Sequence, residues 1–261
     1  MSIAALYDIH ANLPALEAVA HDLREAGVDR VIVGGDVVPG PMPCETLDFL
    51  LNLPMPVQFI QGNGELSVLA EAAATDDPTT VRYSGTITGE PLPPPLRQLV
   101  RWTAHQLDAN ARRLLASWPK TLRLDIEGLG RVLFCHGTPR SEIECFTRLT
   151  PEALLLPVFA DIEAELIICG HTHMQFDRRI GPRRVVNAGS VGMPFQHPPG
   201  AYWLQMGSEV QLRHTIYDLS SAAERVRATL YPQVEQFAAR NILNPPNEAD
   251  MLKALTLQPF P

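Results

Sequence analysis

The chain has 261 residues, 46% of them hydrophobic and 19% charged, with 21 Lys+Arg against 29 Asp+Glu and a formal net charge of −8. This composition excludes a disordered or collagen-like chain and suits one large α/β domain. The acidic balance argues against nucleic acid as a partner, and no run approaches the ~18 consecutive apolar residues of a membrane span.

The first residues, Met1-Ser2-Ile3-Ala4, lack a basic segment, so no signal peptide is expected. Ile3 to Tyr7 reads as a buried strand. A helix follows, with Asn12 as its cap, Pro14 in its first turn, Leu16, Val19, Ala20 and Leu23 on one face, and Gly27 as its stop. Val31-Ile32-Val33 and Val57 to Ile60 read as further strands, separated by a helix around Cys44 to Asn52. This alternation predicts βαβ units and a largely parallel sheet.

Residues 65–120 read as a mainly helical cap insertion. It holds an Ala-rich helix to Ala74, a loop with Pro91, Pro93, Pro94 and Pro95, and a longer helix from about Leu96 to Ser117. Strands then dominate: Leu122 to Ile126, Arg131 to Cys135, Leu166 to Cys169, Arg184 to Val186, Tyr202 to Met206 and Val210 to Ile216. A helical tail covers 219–261, with Ser221 capping a helix that carries Val226, Leu230, Val234 and Phe237, and Asn247 capping a last one. Two sheets covered by helices, in one domain spanning 1–261, is the economical architecture. The tail packs on its own core or on a second subunit, so a homo-oligomer stays open. Cys44, Cys135, Cys145 and Cys169 show no paired spacing, which predicts reduced thiols and a cytoplasmic location.

The chemistry is written where strands end. The run IAALY leads to Asp8 and His10, VIVGG to Asp36, VQFIQG to Asn63, VLFC to His136, and LIICG to His171 and His173. Each ending alone is ordinary turn chemistry. Five together are not, because ligands in α/β sheets bind beyond the carboxyl ends of strands, where these five can converge. Imidazole, carboxylate and amide donors suit Mn, Fe, Zn or Ni rather than a thiolate site.

The ordered blocks DIHAN, GGDVVPGP, GNGE, FCHGTP, CGHTH and NAGSVG resemble the calcineurin-like metallophosphoesterases, and in particular their small bacterial phosphodiesterase branch, along nearly the whole chain. The resemblance implies a four-layer α/β/β/α sandwich of two mixed sheets. It implies two divalent ions, Mn foremost, one held by Asp8, His10, Asp36 and His173, the other by Asp36, Asn63, His136 and His171, with Asp36 bridging. It further implies hydrolysis of a small phosphodiester or nucleotide-like substrate by a metal-bound hydroxide. Asn187 and Ser190, after the ligand loops, and Arg140, with its bidentate fork, are the candidate substrate-binding residues. Arg178-Arg179 and Arg183-Arg184 read as solvated hairpin charge.

The sequence departs from the family at Gly64. Many members carry a histidine there that assists the leaving group, a contribution of ~10²–10⁴-fold. Its absence favours diesters with a good leaving group, or a general acid supplied by His105 or His197. Tyr7 and Ala11 replace the smaller residues usual around the first block, and Tyr7 is expected to narrow the site. The alternatives are a dinucleoside-polyphosphate or nucleotide phosphatase, whose base would meet Tyr83 and Trp102 in the insertion, and a non-catalytic scaffold on the same fold.

Overall fold

In the first strand, Ile3–Leu6 (β1), neighbouring side chains part company: Ile3 and Ala5 pack into one hydrophobic core, Ala4 and Leu6 into another. The period-two geometry of a strand requires this where both faces are covered. The same division holds for Arg30–Val33 (β2), with Ile32 on the inner side and Val31 and Val33 on the outer. These strands join Val57–Phe59 (β3), Ala201–Met206 (β9) and Val210–Thr215 (β10) in a sheet of order β10-β9-β1-β2-β3.

A second sheet has the order β4-β5-β6-β8-β7, built from Thr121–Ile126 (β4), Gly130–Cys135 (β5), Leu166–Cys169 (β6), Phe176–Ile180 (β7) and Arg183–Asn187 (β8). Val132, Phe134, Leu166 and Ile168 meet Ile3, Ala5 and Ile32 between the sheets, while Leu133, Cys135, Ile167 and Cys169 face outward. Both sheets are mixed. β1, β2 and β3 run parallel, as do β5, β6 and β8, so the carboxyl ends within each run share one edge.

The structure, a computed structural model, describes residues 1–74, 92–257 and 260, so Tyr83 and Pro91 lie outside the described residues. Leu13–Glu25 (α1) and Pro43–Leu51 (α2) cover the outer face of the first sheet. Asn12 caps α1 as expected, accepting from the Ala15 amide. Asn63–Ala73 (α3) follows β3.

The expected single helix from Leu96 to Ser117 is two, Pro94–Gln106 (α4) and Ala109–Ser117 (α5). Asp108 divides them, its carboxylate accepting from the Ala111 amide as the α5 cap. Val100, Ala104, Leu107, Leu115 and Trp118 join the outer core of the first sheet.

Glu152–Phe159 (α6), which has Pro157 inside it, covers the second sheet. The tail comprises Leu219–Arg227 (α7), Val234–Phe237 (α8), a π-helical turn Ala238–Leu243, and Glu248–Thr256 (α9). Asp218, not Ser221, caps α7, and Leu230 lies beyond that helix and exposed. The tail has its own core, in which Val226, Tyr231 and Phe237 pack with Leu99 and Trp102 of α4. Among the described residues no helix is long and apolar enough to cross a membrane.

Candidate metal centre

The loops after β1 and β2 stay hydrogen-bonded to each other past the strand ends: Asp8 N donates to Gly35 O, His10 N to Asp36 O and Ala11 N to Val37 O. This pairing fixes the backbone from which the first three ligands project. It also holds Asp8, His10, Ala11 and Asp36 at φ between 48° and 53°, with His171 at 66° and His173 at 58° across the site. Residues other than glycine seldom adopt the left-handed region, and such strain persists where surrounding structure enforces it, characteristically at functional sites.

All seven ligand-type residues converge. Asp8 Oδ1 lies 3.3 Å from His173 Nε2 and 3.8 Å from His136 Nε2. Asp36 Oδ1 is 3.5 Å from His136 Nε2, and its Oδ2 is 3.8 Å from His10 Nε2. Asn63 Oδ1 is 3.0 Å from His136 Nε2, and the His171 ring stands 5.1 Å from that of His136. Two overlapping groups have ligand atoms close enough to hold a cation, Asp8-His10-His173 and Asp8-Asp36-His136.

Backbone carbonyls orient the imidazoles. His10 Nδ1 is held by Pro39 O, His136 Nδ1 by Gly34 O and His173 Nδ1 by Met193 O, at 3.3, 2.9 and 2.7 Å, while His171 bonds to the Ile143 backbone. With Nδ1 occupied, Nε2 of His10, His136 and His173 is left to face the centre, the arrangement found in metal-ligating histidines. Asp8 Oδ1 is buried and, 3.3 Å from His173 Nε2, makes no well-formed hydrogen bond among the described residues. A buried carboxylate oxygen without such a bond is costly, and a cation would satisfy it. The donor set therefore fits divalent cations, at Asp8-His10-His173 and at Asp8-Asp36-His136, with Asn63 and His171 beside the second group.

The two carboxyl groups titrate apart. Burial pushes Asp8 up, but the imidazoles of His173, His136 and His10 outweigh it and hold the group below the ordinary carboxylate range. Burial and the charge of Asp8 push Asp36 up to about 6, against the pull of His136. Burial, followed by the neighbouring imidazoles, lowers His10 and His171 to about 3. For His136 and His173 the two carboxylates outweigh burial and raise the pKa.

Gly64 has no room for a side chain. A Cβ there would stand 2.1 Å from Val38 O and 2.9 Å from Asp36 Oδ1. Its amide instead donates to Asp36 Oδ1 at 2.6 Å, so the position expected to lack a catalytic group fixes the Asp36 carboxylate. Beside it the buried Glu65 carboxylate accepts from the amides of Asp36, Val38 and Gly62 at 2.9, 3.1 and 2.7 Å. Sequence reasoning passed over Glu65. The signal was present in its place at the third position of α3, where a glutamate closes a capping box.

Other expected residues take different places. Asn187 and Ser190 are fully buried and scaffold the ligand loops, which keeps both side chains from a substrate. Asn187 Nδ2 donates to Gly170 O and Thr172 Oγ1, and Ser190 Oγ donates to Asp8 O while accepting from Met193 N. Arg140 pairs with Glu144 at 2.7 Å. His105, near the end of α4, and His197, in the loop after β8, are exposed. Tyr7 does not narrow the site: it is fully buried, donates to Ile168 O, and occupies the space a Cβ on Gly34 would need. In the β7–β8 hairpin Arg184 pairs with Asp177, while Arg178 donates to the carbonyls of Thr147, Arg148 and Thr150.

Residues 1–208 match the calcineurin-like phosphoesterase superfamily domain, and the chain belongs to that family. It is 24% identical to an uncharacterized protein of Methanocaldococcus jannaschii over 250 residues, covering 88% of this chain and 94% of that one. Among solved structures, a metallophosphoesterase from Sphaerobacter thermophilus is similar at a TM-score of 0.66 and 26% identity, covering 92% of this chain and 98% of that one. A hypothetical protein of Pyrococcus horikoshii shares the fold at a TM-score of 0.74 and 20% identity, covering 94% and 99%.

Proposed function

We propose that this phosphoester hydrolase is a dinuclear metal-dependent phosphodiesterase, with manganese foremost among its candidate ions, acting on a small phosphodiester in the cytoplasm. The reading is carried by the two overlapping ligand groups that meet at Asp8; Asp36 belongs to one and lies 3.8 Å from His10 of the other. The buried Cys135, Cys145 and Cys169 and the partly exposed Cys44 are free thiols, which suits a reducing compartment.

When bound, divalent cations supply Lewis acidity: they neutralise charge growing on the phosphoryl oxygens and bring the pKa of a water toward ~7. The chain's own groups hold that arrangement ready. The Gly64 amide fixes Asp36, the His171 amide donates to Asp8 Oδ2 at 2.9 Å, and four backbone contacts orient the imidazoles. Such preorganisation spares the site reorganisation during reaction.

Gly64 bears on the leaving group. With no space for an imidazole, the leaving oxygen departs without a proton from that position, which favours an acidic leaving group such as an aryl alcohol. The test is to strip the protein with chelator, restore Mn, Ni, Mg or Zn singly, and compare an aryl diester with the matching monoester. Metal-dependent turnover favouring the diester supports the reading. A folded protein that binds no metal and turns over neither ester would point to a scaffold.

A further inference from the structure

Beside the metal centre lies a cavity of about 250 Å³ whose wall includes the ligand His10. Two further wall residues, Pro39 and Met193, are those whose carbonyls hold the rings of His10 and His173. The cavity thus shares a wall with the site. Its far side comes from α4 and the tail, with Leu96, Tyr231 and Asn241 among the contributors. The tail's contributors all lie beyond residue 208, where the family match ends.

Among the described residues the lining is apolar and amide-bearing, and carries no Asp, Glu, Lys or Arg. Such a wall rejects a second phosphate and accepts an uncharged group with a flat apolar face and hydrogen-bonding edges. The volume falls just below the ~300–1,000 Å³ of pockets for drug-sized ligands, so it suits one ring system rather than a polymer.

Two features of the backbone mark this wall as built. Gln233 is the one non-glycine residue with positive φ outside the metal centre among the described residues, and its side chain donates to Pro95 O at 3.3 Å, tying the tail to the start of α4. Asn241 sits in the π-helical turn Ala238–Leu243, a geometry found frequently at functional sites. Tyr231 is held edge-on between Trp102, at 5.2 Å, and Phe237, at 5.8 Å.

We propose that this cavity is the specificity pocket of the enzyme and takes a neutral heteroaromatic group of the substrate, a nucleobase, attached to the phosphorus held at the metal centre. The inference rests on the phosphodiesterase reading for its reaction and names the substrate class: a nucleotide ester. The base site comes from the tail and from α4 of the insertion.

The experiment compares two esters with the same leaving group and the same charge, the para-nitrophenyl ester of thymidylate and para-nitrophenyl methyl phosphate, on the full-length, metal-loaded protein. A stacked and hydrogen-bonded base gives the thymidylate ester at least about a tenfold advantage in kcat/KM. Asn241→Leu and Leu96→Asp each reduce that ratio severalfold. Leu96 is 42% exposed and lies in the first turn of α4, where a carboxylate is favourable, so the second variant folds. Because both esters carry one charge, repulsion by the new Asp cancels in the ratio.

Calorimetric titration of thymidine into chelated protein supplies a second readout that needs no metal. Thymidine binding weakened by both variants, without hydrolysis of either ester, keeps the pocket and overturns the phosphodiesterase reading. Hydrolysis with equal kcat/KM for the two esters, or a ratio and thymidine affinity unmoved by both variants, overturns the pocket. So does a protein that neither binds thymidine nor cleaves either ester.

Discussion

His10 Nε2 and His173 Nε2 meet at 3.3 Å, and each ring already spends its Nδ1 on a backbone carbonyl. At most one proton can lie between the two nitrogens, whereas one divalent cation can take both lone pairs. A cation also satisfies Asp8 Oδ1, which makes no well-formed hydrogen bond among the described residues. The geometry therefore suits a cation better than a proton.

Metal removal is expected to lower stability. An ion at 100 times its Kd adds about 2.7 kcal/mol, which for a chain of this size moves Tm by roughly 5–10 °C. Calorimetry on chelated and Mn-reloaded protein should show that difference, and His173→Gln should shrink it. Equal Tm values in the wild type would contradict tight binding.

Gly64→Ala should weaken metal binding as well as stability. The new Cβ collides with Val38 O and with Asp36 Oδ1, so the fold loses about 1–3 kcal/mol, as overpacked sites do. Asp36 must also move. Denaturant titration reads the first effect and metal titration the second. A Gly64→His protein with improved turnover would contradict the account of this position.

Metal affinity should fall as pH drops. Asp36 is held up to about 6 and His136 and His173 are raised, so these three ligands bind protons that a cation must displace. Proton release on metal binding increases as pH falls from 8 toward 6, and affinity declines with it. His10 and His171, lowered to about 3, stay neutral over that range and contribute nothing to the slope. Calorimetric titrations in buffers of different ionisation enthalpy measure the protons released. An affinity independent of pH between 6 and 8 would refute the assignment.

Ser190→Ala leaves the Met193 amide without its acceptor and removes the bond to Asp8 O. Stranding a buried donor costs about 1–3 kcal/mol. Because Met193 O orients His173, the variant should also bind metal less tightly. Chemical denaturation and metal titration check both; a change confined to KM would instead place Ser190 at the substrate.

The candidate ligands were legible because each follows a strand whose apolar run announces itself, from Ile3 to Asp8 and from Leu166 to His173. The strands with one polar face were harder. In β7, Phe176 and Ile180 flank Asp177, Arg178 and Arg179, so no apolar run marks the element. α6 was hidden by Pro157, a residue that argues against a helix in isolation.

The break at Leu107-Asp108 carries an ordinary capping signal, outweighed by the apolar positions on both sides. What sequence could not reveal is which polar residues of NAGSVG face inward. Asn187 and Ser190 stand beside the ligands in the chain, yet only the folded loops show their bonds spent on backbone. The cavity beside His10 was likewise out of reach, since its walls are some 200 residues apart along the chain.

The most direct test counts the metal. Chelated protein reloaded with Mn should bind two ions per chain and hydrolyse an aryl diester in preference to the matching monoester. Asp36→Asn, which takes the charge from the carboxylate proposed to serve both ions, should lose tight binding of the pair and turnover together while remaining folded. A wild-type protein that hydrolyses the diester with no metal bound, or an Asp36→Asn variant that keeps both ions and full activity, would contradict the central claim.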